Sequence, residues 1–241
     1  MNGGTFVSTS TDGITWKETS TLPYSAYWCD VAYGNGYFVA IAGDQKAFGA
    51  SSKTYNYYAY STDGVNWSSG SLPVTASWIN IQYVNNRFII TGNSDKLLYS
   101  TSGTSWSSAT LPTTALWYDC AYGNNKYVLV GSGVGAYSSN GTTWSASTTS
   151  LVSASKGTST QARYSGVAFG EGKFVAISDY AYAGAIWSKD GITWNTSVDS
   201  ASNKYTSPGA LYGQSCKYVT YYDNKFIATG NGDVFYSSTK Y

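Results

Sequence analysis

Apolar positions along this chain come in paired runs, each pair split by a short turn of Gly, Asn, Asp or Glu. The pairs read VAYGNGYFVAIAG at 31–43, IQYVNNRFIITG at 81–92, CAYGNNKYVLVG at 120–131, VAFGEGKFVAIS at 167–178 and VTYYDNKFIATG at 219–230. A continuous apolar run of five or six residues bounded by glycine predicts a strand buried on both faces, and the turn residues predict a tight hairpin. We label its strands A and B. After each hairpin a polar octapeptide recurs: YSTDGVNW at 60–67, YSTSGTSW at 99–106, YSSNGTTW at 137–144 and WSKDGITW at 187–194. A related copy, TSTDGITW, stands at 9–16, and a truncated one, YSSTKY, at 236–241. Alternating residues around a Gly-containing turn predict a second hairpin, strands C and D.

The octapeptide returns at intervals of 38 to 51 residues. Self-similarity on that scale signals one supersecondary unit repeated radially or linearly. Five A–B hairpins imply five blades, and five units of roughly 48 residues fill the chain without a linker. The expected fold is therefore all-β: a five-bladed β-propeller of four-stranded antiparallel blades, in a single domain spanning 1–241. A ring must hide its strand edges. The last unit has A, B and C segments but no D, so strand exchange is expected, with residues near 15–19 pairing beside 234–238. The C-like segment at 5–9 has no place in that scheme.

Composition narrows the function. Charged residues make up 11% of the chain and the net charge is +1, which offers no field for nucleic acid or an anionic membrane. Polarity comes from Ser, Thr, Asn, Gly and 24 tyrosines. No apolar run reaches the ~18–20 residues a membrane-spanning helix needs. The start MNGGTFVSTSTDG lacks the basic and apolar regions of a signal peptide, so export by that route is not expected. Cys29, Cys120 and Cys216 form no paired spacing, and are expected to be small buried hydrophobes rather than disulfides or metal ligands.

The octapeptide resembles the Asp-box, or BNR, repeat of sialidases and many other propellers. Ser10, Asp12, Gly13 and Trp16 follow its pattern with one residue fewer, as do the copies at 61–67 and 188–194. The resemblance implies that the box forms the C–D turn: the carboxylate caps backbone N–H groups, the glycine takes positive φ, and the tryptophan packs between blades. The structural set is then Asp12, Trp16, Asp63, Trp67, Ser102, Trp106, Asn140, Trp144, Asp190 and Trp194. Ser102 and Asn140 replace the aspartate, yet both can make the same turn hydrogen bonds. A catalytic carboxylate would not tolerate that exchange.

Sialidases, which carry this repeat, clamp their substrate with three arginines. This chain has two, Arg87 and Arg163, and two glutamates, Glu18 and Glu171. Arg87 occupies a repeated turn position also held by lysines, so no such clamp can be assembled. The absence of histidine removes the commonest general base. A glycoside hydrolase using paired aspartates, drawn from Asp44, Asp179 and Asp199, is the residual enzymatic alternative.

The repeats differ mainly in the B–C and D–A links, which are expected on one propeller face. The long links lie at 43–57, 147–163 and 198–215, with a shorter excursion at 179–184. Variation confined to one face of a scaffold is a usual way to build a binding surface. The candidate ligand residues there are Asp44, Tyr55, Tyr57, Arg163, Asp179, Tyr180, Tyr182, Tyr205 and Tyr212. Trp28, Trp78, Trp117 and Tyr164 share one position at the entrance of strand A, where they would floor the site near the axis or plug gaps between blades. Aromatic faces suit sugar rings. The expected function is thus non-catalytic recognition of a cell-surface glycan or host receptor, with no cofactor and no metal. The chain looks like propeller domains of phage tail-fibre and receptor-binding proteins, which implies a virion or extracellular location and an assembly of several copies. A structural or protein-interaction subunit is the alternative.

Overall fold

The computed structural model describes residues 4–43, 53–148, 162–179, 184–196, 215–230 and 233–236. All regular structure among them is β-strand, and two compact units form, 1–109 and 110–241. In the first unit the strands are β1 (Gly4–Thr9), β2 (Lys17–Ala26), β3 (Trp28–Gly34), β4 (Tyr37–Ala42), β5 (Tyr55–Ser61), β6 (Ser68–Val84) and β7 (Arg87–Ser100). The chain crosses between the units within β8 (Ser107–Gly123). It continues through β9 (Lys126–Gly131), β10 (Gly135–Ser138), β11 (Ser145–Ala146), β12 (Tyr164–Gly170), β13 (Lys173–Ser178), β14 (Ala185–Ser188), β15 (Asn195–Thr196), β16 (Tyr218–Tyr222), β17 (Lys225–Gly230) and β18 (Asp233–Tyr236).

All five apolar hairpins form where the pattern predicts them, as β3–β4, the β6–β7 pair, β8–β9, β12–β13 and β16–β17. Their turns take positive φ at both central positions: Asn35 and Gly36, Asn85 and Asn86, Asn124 and Asn125, Glu171 and Gly172, Asp223 and Asn224. That geometry matches the right-handed twist of the flanking strands, and Asn, Asp and Gly reach it at least cost. The fourth repeat shows the full unit, with β12–β13–β14–β15 in A-B-C-D order. In the first and second repeats strand D runs on through Leu72-Pro73 and Leu111-Pro112 into the next strand A, so β6 and β8 each span 17 residues.

Repeats dock through one recurring joint. In the first unit the Asp30 carboxylate accepts the Val31 N–H at 2.9 Å and the Ile81 N–H of the next repeat at 2.8 Å. Asp119 in the second unit does the same with Cys120 at 2.9 Å and Val167 at 2.8 Å. The Tyr83 ring lies on Gly34, Phe169 on Gly123 and Tyr221 on Gly170, at sites where a Cβ would collide with the ring. Around these joints Val39, Ile41, Trp78, Phe88 and Leu98 form the core of the first unit. Val128, Val130, Val167, Phe174, Ile186 and Trp194 do so in the second. The aspartate–glycine pair is complete in the first and third repeats only: Asn80 and Val84 hold the two positions in the second, Gly166 the first of them in the fourth, and Tyr218 and Tyr222, 73% and 75% exposed, both in the fifth.

The expected strand exchange is not the pairing observed. Residues 17–21 pair with β1, through Thr9↔Lys17, Ser8↔Glu18 and Phe6↔Thr21, and β18 pairs with β17. A hairpin closed over residues 10–16 loses less chain entropy than a junction between distant segments. The segment at 5–9 therefore has a role after all, as the C strand of an N-terminal hairpin.

Candidate functional site

The octapeptide turns share one hydrogen-bond scheme. Ser10, Ser61, Ser100, Ser138 and Ser188 each accept the N–H of the glycine three residues on, at 2.8–2.9 Å. Asp12 accepts Ile14 and Thr15 N–H at 2.8 and 2.7 Å, and Asp63 accepts Val65 and Asn66 at the same distances. Asp190 accepts Ile192 and Thr193 at 2.8 and 2.9 Å. Asn140 reproduces the scheme at 2.9 Å twice, and Ser102 more loosely at 3.2 Å. Gly13, Gly64, Gly103, Gly141 and Gly191 all sit at positive φ. These amides hold the Asp12 and Asp63 carboxyls well below the usual carboxylate range. At Asp190 burial pulls upward, but the amides and Ser188 outweigh it, and the net shift is downward. Trp144 and Trp194 are buried, Trp67 and Trp106 half-buried, while Trp16 on the N-terminal hairpin is 64% exposed.

The aromatics at the entrance of strand A are core rather than an open floor. Trp78 and Trp117 are fully buried and Tyr164 nearly so; Trp78 packs in the core of the first unit and Tyr164 in that of the second. Burial pushes the Tyr164 phenol up. Trp28 alone of this set is partly accessible, and its indole N–H donates to the Tyr24 carbonyl at 3.1 Å.

Arg163 and Asp179 come together at the open end of β12–β13. Arg163 Nε lies 3.0 Å from Asp179 Oδ1, and the Asp179 N–H donates to the Arg163 carbonyl at 3.1 Å. Ser215 Oγ donates to the Asp179 carbonyl, and the Tyr118 and Ser132 hydroxyls stand 3.5 Å apart nearby. Burial raises the Asp179 carboxyl, against the pull of Arg163. The pair braces the strand ends; it is not a pair of carboxylates. Asp44, Tyr180, Tyr182, Tyr205 and Tyr212, together with Asp199, lie outside the described residues. No cluster of three His, Cys, Asp or Glu able to hold a metal ion occurs among the described residues.

Tyr55 and Tyr57 fall into a cluster. Tyr57 stacks on Tyr24 with ring centroids 5.0 Å apart and planes at 29°. Tyr55 meets Tyr27 edge-on at 6.4 Å, and the Lys53 ammonium stands 4.8 Å from the centre of the Tyr27 ring. Tyr24 is 45% and Tyr57 39% exposed. Both rings are carried on strands, β2 and β5. Tyr24 and Tyr27 are absent from the candidate set because the first D–A link looks like its neighbours, whereas Lys53 lies within the long link at 43–57. The signal was there: after Leu22-Pro23 and before Trp28, Tyr24 replaces Val74 and Thr113, and Tyr27 replaces Ser77 and Leu116.

No family model matches the chain, and no curated protein matches it. Among solved structures, YCF48 bound to D1 peptide aligns at TM-score 0.55 and 16% identity, over 90% of this chain and 65% of that one. The chain thus spans just under two-thirds of that structure's length. Selenomethionine-substituted virginiamycin B lyase from Staphylococcus aureus aligns at TM-score 0.66 and 10% identity, over 99% of this chain and 78% of that one. Both neighbours are β-propeller-type folds. At such identities the likeness is one of fold alone, and function must be argued from the site.

Proposed function

We propose that this chain is a non-catalytic binding module that recognises carbohydrate on a cell surface. One observation carries the reading: the half-exposed Tyr24–Tyr57 stack, held on two strands beside a core in which Trp78, Trp117 and Tyr164 are spent on packing. Paired tyrosines fixed on strands offer large contact area at low entropy cost, and their faces suit the C–H groups of a sugar ring. The low charge and the wealth of Tyr, Ser, Thr and Gly fit an adhesin of a virion or extracellular particle. Each stacked ring contributes about 0.5–1.5 kcal/mol beyond area burial, so single sites are weak and several copies supply avidity. A glycan array weighted towards surface polysaccharides tests the proposal. Binding lost in Tyr24→Ala and Tyr57→Ala with unchanged melting supports it; an array blank at high protein density sinks it.

A second reading is a protein-interaction subunit. Phe6, Ile14 and Trp16 on the N-terminal hairpin are 71%, 86% and 64% exposed, and one structural neighbour is a propeller bound to a peptide. Binding to a displayed peptide library, abolished by Trp16→Ala and untouched by Tyr57→Ala, would favour it.

A further inference from the structure

We infer that the tyrosine surface of the first repeat takes an acidic oligosaccharide, with Lys53 reading the negative charge. The inference rests on the carbohydrate-binding reading and adds the chemistry of the ligand. Tyr55 and Tyr57 lie on β5 and Lys53 just before it, and all three meet the same short stretch of chain. Tyr57 lies against Tyr24, while Tyr55 and Lys53 lie against Tyr27. The surface is therefore a strip with a cation at one end and an exposed aromatic stack at the other. A ligand that uses both ends lays one ring on the tyrosine stack and brings a carboxylate to the ammonium.

The position of Lys53 supports this division of labour. Its ammonium sits over the π-face of Tyr27, where the ring quadrupole favours the cation and helps hold the flexible stem in one direction. The place of Tyr57 in the second repeat is taken by Lys96, and in the third by Val134. Neither repeat puts a tyrosine at the place of Tyr24, so among the first three repeats the combination of stack and terminal cation belongs to the first.

Titration calorimetry with a panel of uronic-acid trimers and their methyl esters tests the inference, because esterification removes the charge and keeps the rings. The acids are expected to bind roughly two- to fivefold tighter than the esters, the range of an exposed charge pair. The preference is expected to shrink as salt rises from 20 to about 200 mM, where screening shortens. Lys53→Gln is expected to abolish the preference while keeping the affinity for the ester. Tyr57→Ala is expected to weaken acid and ester alike, by roughly three- to tenfold. Equal binding of acid and ester, an acid preference that survives Lys53→Gln, or no binding of any trimer overturns the inference. The glycan array separates that failure from the failure of the parent reading: neutral glycans bound through Tyr57 leave the carbohydrate function standing.

Discussion

Gly123→Ala isolates the joint by which repeats dock. Gly123 ends β8 beneath the Phe169 ring, and a Cβ there would run into that ring. Phe169 cannot easily retreat, because Phe174 lies behind it with ring centroids 4.8 Å apart. The φ of Gly123 is not in the left-handed region, so the substitution strains no backbone torsion and its cost in the folded state is steric. Forcing one methyl into a packed contact costs about 1–3 kcal/mol. At about 2–4 °C per kcal/mol for a chain of this size, the melting temperature should fall by roughly 2–12 °C. Thermal unfolding followed by circular dichroism measures this, with Gly4→Ala, which meets nothing within 4 Å, as the control. In a Phe169→Ala background the new methyl has room. The cost of Gly123→Ala should then vanish or turn into a gain of about 0.4–1 kcal/mol, since alanine restricts the unfolded chain. An undiminished cost in that background would refute the packing argument.

Trp117→Ala should cost about 3–5 kcal/mol as a buried aromatic truncation and should reduce binding only in proportion to unfolded protein, as thermal melts beside titrations would reveal. The carboxyls of Asp12 and Asp63 are held low by turn amides. The stability they supply is therefore present above the ordinary carboxylate pKa of about 3.9 and lost as pH falls through the lower folded values. Acid unfolding of Asp63→Asn should be correspondingly less steep below about pH 4. Asp30 is raised by burial, against the pull of the Ile81 and Val31 amides, so its contribution runs the other way, present at low pH and lost as pH rises through the folded value. Stability curves of Asp30→Asn should lack that decline. Chromogenic sialosides and other aryl glycosides should not be turned over; hydrolysis that disappears in Asp179→Asn would restore the enzymatic alternative.

Strand and turn positions were legible in the chain because both hairpins announce themselves by local chemistry. Asn124-Asn125 between apolar runs marks a turn with both φ positive, and Ser188 with Asp190 and Gly191 marks a capped one. Strand partnership at the ends was not legible, since TSTDGITW reads equally well as a complete local hairpin or as half of a long-range junction. Chain entropy favours the local pairing with β1. Burial of Trp78 and Trp117 was also ambiguous: a ring at the entrance of strand A has the same spacing whether ligand or neighbouring repeat covers it. The tyrosine strip was half visible. Tyr55 and Tyr57 stood in a long link, where a binding residue is sought, but their partners Tyr24 and Tyr27 lay in a link of ordinary length. Only position-by-position comparison with Val74, Ser77, Thr113 and Leu116 singles them out.

The most direct test of the account is nuclear magnetic resonance of the chain with labelled tyrosine rings and indole N–H groups, titrated with a saccharide taken from the array. Ring signals of Tyr24, Tyr27, Tyr55 and Tyr57 are predicted to shift together along one saturation curve, while the indoles of Trp78 and Trp117 stay still. Shifts centred on Trp78 and Trp117, with the four tyrosines unmoved, would contradict the account and move the site to the entrances of the A strands.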